Sequence, residues 1–142
     1  MTDRIFNMRL SCAYTGDEND IKQQEVELLI DGMWQTFDLD MQSPGFLILV
    51  YAIFSCQHRM YRVKSAKQAL LLDSARGSIH VTTDSDWKIK TLQVEFEGKV
   101  LTGKARQEDI DVITSTMKNC PVSVNIREAE EDTCNISFIS SE

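Results

Sequence analysis

Four cysteines are the residues of this chain best suited to covalent chemistry: Cys12, Cys56, Cys120 and Cys134. Cys56 and Cys120 each fall on the apolar face of a predicted helix, 64 positions apart. A cysteine reacts as its thiolate, and apolar burial alone disfavours that form, so a reactive cysteine needs a nearby cation. Arg59, three positions after Cys56, is the only cation whose helical spacing places it beside this thiol.

The alternative is that these cysteines are core residues, because free cysteine is among the most buried residue types. We favour this interpretation for Cys12 and Cys134, which lie on the apolar faces of predicted strands. No two cysteines have a CxxC spacing, which excludes a zinc ribbon or a thioredoxin motif. We interpret the other candidate residues as structural: isolated histidines at His58 and His80 that make no metal site, hairpin surface charges at Asp31, Asp38 and Asp40, and packing residues at Trp34 and Trp87, either of which could line an apolar pocket.

The composition limits the possible partners. The 142 residues include 15 basic and 22 acidic ones, and the net charge of −7 argues against nucleic acid or an anionic membrane. The longest apolar run, residues 46–54, is too short to span a bilayer, and no signal peptide is visible. We therefore expect a cytoplasmic protein without a cofactor, in which any disulfide is transient and redox-active.

Cys56 is positioned by a long predicted helix within residues 43–72. Ser43 and Pro44 form a start signal, since a serine side chain can accept from the first free N–H groups and proline fits the first helical position. The predicted core face recurs every three to four residues and places Cys56 inside the protein: Leu49, Ala52, Ile53, Cys56, Met60 and Val63. Residues 46–54 are apolar on more faces than one small sheet can cover, which predicts a homodimer.

Cys120 is positioned by a second predicted helix, residues 107–119, which Pro121 ends. Period-two alternation predicts strands at residues 6–14, 79–83, 87–96 and 134–139, with a break at 73–77 and a loop or short extended piece between Gly98 and Gly103. Asp31-Gly32 predicts a hairpin over residues 26–39. This pattern indicates an α+β domain with two helices on one face of a mostly antiparallel sheet.

Charge is unevenly distributed along the chain. Residues 17–40 carry eight acidic groups and a single lysine, Lys22, whereas the later turns of the long helix are basic. These two surfaces could dock on one another, or each could simply be solvated. The sequence leaves both possibilities open.

The segments SPGFLILVYAIFSC, ending at Cys56, and NCPVS, containing Cys120, together resemble the OsmC/Ohr family of thiol-dependent peroxidases. In that family a helix opens after a proline and carries the first cysteine about three turns in, and a second helix ends at a Cys-Pro-Val-Ser segment. The resemblance extends over residues 40–139. It implies a single OsmC-like domain over residues 1–142, with N-terminal strands and hairpin at 1–40 and both cysteines in 41–142.

The resemblance also implies a chemistry and an assembly. Cys56 would be the peroxidatic cysteine and Cys120 the resolving one, in an intertwined homodimer that reduces organic hydroperoxides and is regenerated by an external dithiol. The other functional class is a non-catalytic OsmC-fold homodimer, a binding or scaffold protein that retains both cysteines in its core.

This sequence departs from the pattern of active family members at two positions. Those members place an acidic residue just after the helix-opening proline, where it holds an arginine against the thiolate. Here Gly45 and Phe46 follow Pro44, and no acidic residue occurs before Asp73. The N-terminal portion, from which active members draw the arginine, offers Arg4 and Arg9. The missing acid favours the non-catalytic class, and the retained cysteine pair favours the peroxidase.

Overall fold

A computed structural model describes residues 3–126 and 131–141 and contains one six-stranded sheet. The strand order is β3-β2-β1-β4-β5-β6, and every neighbouring pair is antiparallel except β5 and β6, which are parallel. The elements are β1 Arg4–Thr15, β2 Asp20–Ile30, β3 Met33–Thr36, α1 Gly45–Lys67, β4 Leu71–Thr83, β5 Ile89–Thr102, α2 Gln107–Lys118, a 3₁₀ helix Ser123–Ile126 and β6 Glu131–Ser140. The predicted α+β class is therefore confirmed.

The predicted hairpin forms between β2 and β3. Asp31 and Gly32 have φ angles of 51° and 79°, and Ile30 pairs directly with Met33. Two successive left-handed residues give the two-residue loop whose twist matches that of the flanking strands.

Both ends of α1 differ from the prediction. Pro44 precedes the first helical residue without a side-chain cap, and the Ser43 hydroxyl instead accepts from the backbone N–H of Asp40. The carbonyl of Pro44 accepts from the N–H groups of Leu47 and Ile48, so the backbone begins the helix without the serine. The helix ends at Lys67, a short turn follows it, and Leu71 and Leu72 belong to β4.

The predicted break at residues 73–77 is wrong, because β4 is continuous from Leu71 to Thr83. Gly77 lies directly opposite Phe96, and a Cβ at this glycine would overlap the Phe96 ring. A Cβ at Gly98 would likewise overlap the Tyr61 hydroxyl, and Gly98 lies within β5 rather than at a loop boundary. Both glycines are strand positions at which a neighbouring aromatic side chain occupies the space that a glycine side chain, if it had one, would fill.

The buried face of α1 is also displaced from the predicted one. Of the predicted stripe only Ile53 is fully buried, and Cys56 is half-buried. The residues that face the interior are Val50, Ile53, Phe54, Gln57, His58, Tyr61 and Ser65. Three of these are polar, and each makes a hydrogen bond inside the protein, which allows their burial. An apolar stripe of α1 consequently remains partly uncovered.

The second helix agrees with its prediction. It runs over Gln107–Lys118, and Ile113 and Met117 are buried against α1 and β6. The Cys134 thiol contacts the Met117 sulfur at 3.7 Å, which places Cys134 in the core as predicted. Among the described residues, neither helix has the length and apolarity needed to cross a membrane.

Candidate active site

Cys56 and Cys120 meet where α1 passes the end of α2. The side chain of Cys56 lies within hydrogen-bond reach of the Cys120 side chain and of the backbone N–H of Val122. Cys120 follows the last turn of α2 and is 1% exposed, whereas Cys56 keeps part of its surface open. No disulfide joins them. The arrangement combines one accessible thiol with one buried thiol in direct contact with it.

The surroundings of Cys56 disfavour its thiolate. Burial raises the pKa of the Cys56 thiol above its ordinary value, and the contact with Cys120 raises the pKa further. The backbone N–H of Val122 acts in the opposite direction, because it stabilises the charged sulfur. None of these causes is a cation, so the two thiols meet in a site that keeps Cys56 protonated.

A cavity of about 340 Å³ opens beside Cys56, between α1 and strands β1 and β2. Apolar and aromatic side chains form one half of its wall and polar side chains form the other half: Leu10, Ile21, Val26, Tyr51 and Phe54, with Gln24, Ser55, His58, Arg59 and Arg62. A groove of about 770 Å³ lies on the other side of the sheet, but no cysteine lines it. The smaller cavity is therefore the space from which a small molecule could reach the Cys56 thiol.

The Cys120 sulfur contacts Ser123, and Ser123 in turn contacts Gln57. The Cys120 thiol donates to the Ser123 hydroxyl at 2.9 Å, and the backbone N–H of Ser123 points back to the same sulfur at 3.3 Å. The Ser123 hydroxyl also accepts from the Gln57 side-chain nitrogen at 2.8 Å. Gln57 and Ser123 are almost completely buried, so these bonds form away from water. A chain of contacts thus leads from Gln57 through Ser123 to the second cysteine.

A second thiol cluster lies deeper, between α1 and β1. The Tyr14 hydroxyl is 2.6 Å from Nε2 of His58 and is hydrogen-bonded to Cys12. Burial raises the pKa of Cys12, although Tyr14 and then the Arg62 charge act to lower it. Burial, followed by the same Arg62 charge, lowers the His58 pKa to about 4, so this imidazole is neutral at pH 7. The one cation that acts on a thiol in this region therefore acts on Cys12.

By sequence, the chain matches no protein-family model and no curated protein. Solved structures do match it. An OsmC-like protein from Mycoplasma pneumoniae is 10% identical over 91% of this chain and 95% of its own, with a TM-score of 0.54. An OsmC-like hydroperoxide resistance protein from Jannaschia sp. CCS1 is 9% identical over 88% of each chain, with a TM-score of 0.57. The chain has an OsmC-like fold. The resemblance inferred from the segments around Cys56 and Cys120 is thereby confirmed at the level of the fold.

Within this OsmC-like fold, both N-terminal arginines are engaged away from Cys56. The Arg4 guanidinium lies 4.0 Å from the centroid of the Trp87 ring and donates to the carbonyl of Ser85 at 2.8 Å. The Arg9 guanidinium lies over Trp34 and pairs with Glu27 at 2.7 Å. The first turn of α1 contains no acidic residue, as the sequence indicated. In a single chain, neither arginine can serve the Cys56 thiolate.

Arg59 lines the Cys56 cavity, as its spacing predicts, but its side chain is exposed. Its charge is not among the causes that shift the Cys56 pKa. A role for Arg59 in the chemistry of this OsmC-like chain therefore stays a prediction. Among the described residues, the basic turns of α1 make no ion pair with the acidic segment 17–40. The two meet through hydrogen bonds instead: Asn19 Nδ2 donates to the Arg62 carbonyl at 3.0 Å, and Arg62 Nη1 donates to the Asn19 carbonyl at 3.5 Å.

The remaining sequence candidates take structural positions in the OsmC-like fold. His80 is hydrogen-bonded to Asn7 at 2.6 Å, and the described residues hold no cluster of three potential metal ligands. Asp40 accepts from the backbone of the turn before α1. Trp34 and Trp87 stack on arginines outside the Cys56 cavity, so neither lines it.

Sequence reasoning missed Gln57, Ser123 and the pairing of His58 with Tyr14. The available signal was a polar pair, Gln57 and His58, in the middle of an otherwise apolar helix. Polar residues at such positions are buried when partners from other elements satisfy them. Those partners lie 66 and 44 positions away, so local periodicity could not identify them.

Proposed function

We propose that this chain reduces organic hydroperoxides, with Cys56 as the peroxidatic cysteine and Cys120 as the resolving one. The observation that carries the proposal is the contact of two unlinked thiols, one of which lines a cavity. The OsmC-like fold supports it, since one of the solved structures that share this fold is named as a hydroperoxide resistance protein.

The reaction follows from the two thiols. The Cys56 thiolate attacks one peroxide oxygen, the O–O bond breaks, and the alkoxide leaves and takes up a proton to become the alcohol. Sulfur has then lost two electrons and is a sulfenic acid. The Cys120 sulfur attacks the Cys56 sulfur, an S–S bond forms, and the hydroxyl leaves with the Cys120 proton as water. An external dithiol reduces the disulfide by exchange.

Two groups near Cys56 would assist the first step. The backbone N–H of Val122 stabilises negative charge on the sulfur. Arg59 at the mouth of the cavity attracts a polar peroxide group, although its exposure to water weakens this effect. The apolar and aromatic part of the wall suits a substrate with a hydrocarbon or aromatic body.

We also propose a homodimer. The half-buried stripe of α1 that contains Cys56 also contains Leu49, Ala52, Met60 and Val63, and Ile48 beside it is 37% exposed. A second copy packed on this stripe would cover it and would enclose the open side of the Cys56 cavity. Sedimentation should give a dimer at micromolar concentration, and a stable monomer there would remove this part of the proposal.

The activity is tested by following cumene hydroperoxide consumption in the presence of dithiothreitol. The wild-type protein should consume the peroxide catalytically, and Cys56→Ser should consume it no faster than dithiothreitol alone. Equal rates for the two proteins would overturn the assignment of Cys56.

One observation favours a second candidate, a non-catalytic homodimer with the same fold. Burial raises the Cys56 pKa and no cation opposes it, which is the usual condition of an inert core cysteine. This candidate predicts that both thiols are recovered unmodified at peroxide concentrations that oxidise an ordinary exposed thiol.

A further inference from the structure

We propose that Gln57 and Ser123 form a positioning pair for Cys120, which directs its sulfur at Cys56 and supports it as the attacking group in disulfide formation. The inference rests on the proposed function for its biological meaning. Its physical content, a faster attack by Cys120, is independent of peroxide. Neither residue touches the reacting peroxide, so both act through Cys120.

The hydrogen bonds around Ser123 carry this inference. Its hydroxyl oxygen is the acceptor for Gln57 Nε2 at 2.8 Å and also lies 2.9 Å from the Cys120 sulfur. Its backbone N–H points at that sulfur from 3.3 Å. Once Cys120 loses its proton, the hydroxyl can turn its own hydrogen onto the sulfur while it still accepts from Gln57. The sulfur then receives two donors, both from Ser123.

Gln57 determines which way the Ser123 hydroxyl points. A hydroxyl has one hydrogen to donate, and an amide N–H directed at its oxygen leaves that hydrogen available for the sulfur. The other amide atom, Gln57 Oε1, is buried with no partner among the described residues. If the amide turns over, Oε1 can accept from the hydroxyl while the Cys120 thiol donates to the hydroxyl oxygen. The pair thus accommodates both proton states of Cys120.

The unpaired Oε1 also argues against a purely structural role for Gln57. A buried amide acceptor without a hydrogen bond destabilises a fold by about 1–3 kcal/mol. An apolar residue of similar volume, such as methionine, would avoid this loss at a position that is completely buried. The arrangement is understandable if the amide serves the neighbouring thiol rather than the core.

The experiment measures the attack by Cys120 without any peroxide. In a Cys12→Ser, Cys134→Ser background, Ellman's reagent converts the Cys56 thiol to a mixed disulfide and releases one thionitrobenzoate. Cys120 then attacks the Cys56 sulfur, forms the Cys56–Cys120 bond and releases the second thionitrobenzoate. Stopped-flow absorbance therefore separates the reactivity of Cys56, in the first phase, from that of Cys120, in the second.

The proposal predicts a selective effect on the second phase. Removing one such hydrogen bond corresponds to about a tenfold loss of rate, so Gln57→Met and Ser123→Ala should each slow the second phase by about tenfold or more. Ser123→Thr keeps the hydroxyl and should restore the rate. Because Gln57 acts through Ser123, adding Gln57→Met to Ser123→Ala should cause no further loss.

A matched control is available in Ser65, which is also completely buried on α1 and donates to the Tyr61 carbonyl at 2.6 Å. Ser65→Ala should leave the second phase unchanged, which distinguishes loss of a particular hydroxyl from general loosening. An unchanged second phase in Gln57→Met, equal slowing of both phases, or a Ser123→Thr variant as slow as Ser123→Ala would overturn the proposal. Failure of the proposed function appears separately, as a wild-type protein that shows both phases but consumes no cumene hydroperoxide.

Discussion

Two clusters that contain cysteine lie along α1, one around Cys56 and Cys120 and the other around Cys12, Tyr14 and His58. They differ in which groups act on the thiol and in whether the thiol is accessible. Cys56 has a partner thiol in Cys120 and access to a cavity, but no cation acts on it. Cys12 has the Tyr14 hydroxyl and the Arg62 charge, but it is buried and lines no part of that cavity. Burial raises the pKa of both thiols. The candidate site is therefore distinguished from the core by its access to a cavity and by its second thiol, and not by the presence of a cation.

The largest expected effect concerns the cysteines themselves. Cys120→Ser should allow one turnover with cumene hydroperoxide and then accumulate a Cys56 sulfenic acid, because no second thiol is left to displace its hydroxyl. Dimedone trapping and intact mass would detect this state. Cys12→Ser is the matched control, since serine keeps a hydrogen-bonding group beside Tyr14, and it should retain multiple turnovers. Loss of turnover in Cys12→Ser would reverse the proposed roles of the two clusters.

The next effect is on stability and comes from the Cys12 cluster. The His58 pKa is about 4 in the folded protein, whereas the ordinary value of 6.5 applies to the unfolded chain. Between pH 4 and pH 6.5 the unfolded chain therefore binds a proton on His58 that the folded protein does not. The stability that comes from keeping His58 neutral is fully present above pH 6.5 and is lost as the pH falls toward 4. At pH 5 the loss amounts to about 2 kcal/mol of unfolding free energy.

This contribution can be isolated by urea unfolding of the wild type and of His58→Gln at pH 7.5 and pH 5. Glutamine keeps an acceptor for the Tyr14 hydroxyl but has no proton to gain. The variant should therefore lose about 2 kcal/mol less than the wild type over this interval, whatever the carboxylates contribute to both. The same pH dependence in both proteins would mean that His58 is not neutral and buried as described.

The smallest effect is expected at Arg59. Its exposed charge is worth only about 0.3–1 kcal/mol at the cavity mouth, so Arg59→Gln should slow oxidation of Cys56 by about two- to fivefold. Lys67→Gln removes another exposed positive charge, from the end of the same helix, and is the matched control. A loss above about a hundredfold in Arg59→Gln alone would show that Arg59 is the missing thiolate partner.

The sequence predicted those parts of this structure that depend on local pattern. The Asp31-Gly32 hairpin, the second helix and the α+β class each follow from residues close together in the chain. The continuous strands through Gly77 and Gly98 did not, because Phe96 on the strand paired with Gly77, and Tyr61 on α1 above Gly98, fill the space at these glycines. Local pattern also misplaced the buried face of α1.

The candidate site was predicted only in part, because it too depends on contacts between elements that are far apart in the chain. The family resemblance suggested that Cys56 and Cys120 belong together, whereas their contact itself depends on how two helices pack. The spacing rule pointed to Arg59, whereas the cation that acts on a thiol is Arg62, through a contact with another element. Ser123 and Tyr14 became candidates only once the fold placed them beside their partners on α1.

We propose that Cys56 and Cys120 form one redox pair. Peptide mapping under non-reducing conditions, after one equivalent of cumene hydroperoxide, tests it most directly. We expect a Cys56–Cys120 disulfide as the main product, with Cys12 and Cys134 recovered as thiols. Recovery of Cys56 and Cys120 unmodified, at a peroxide level that oxidises an exposed model thiol, would contradict it.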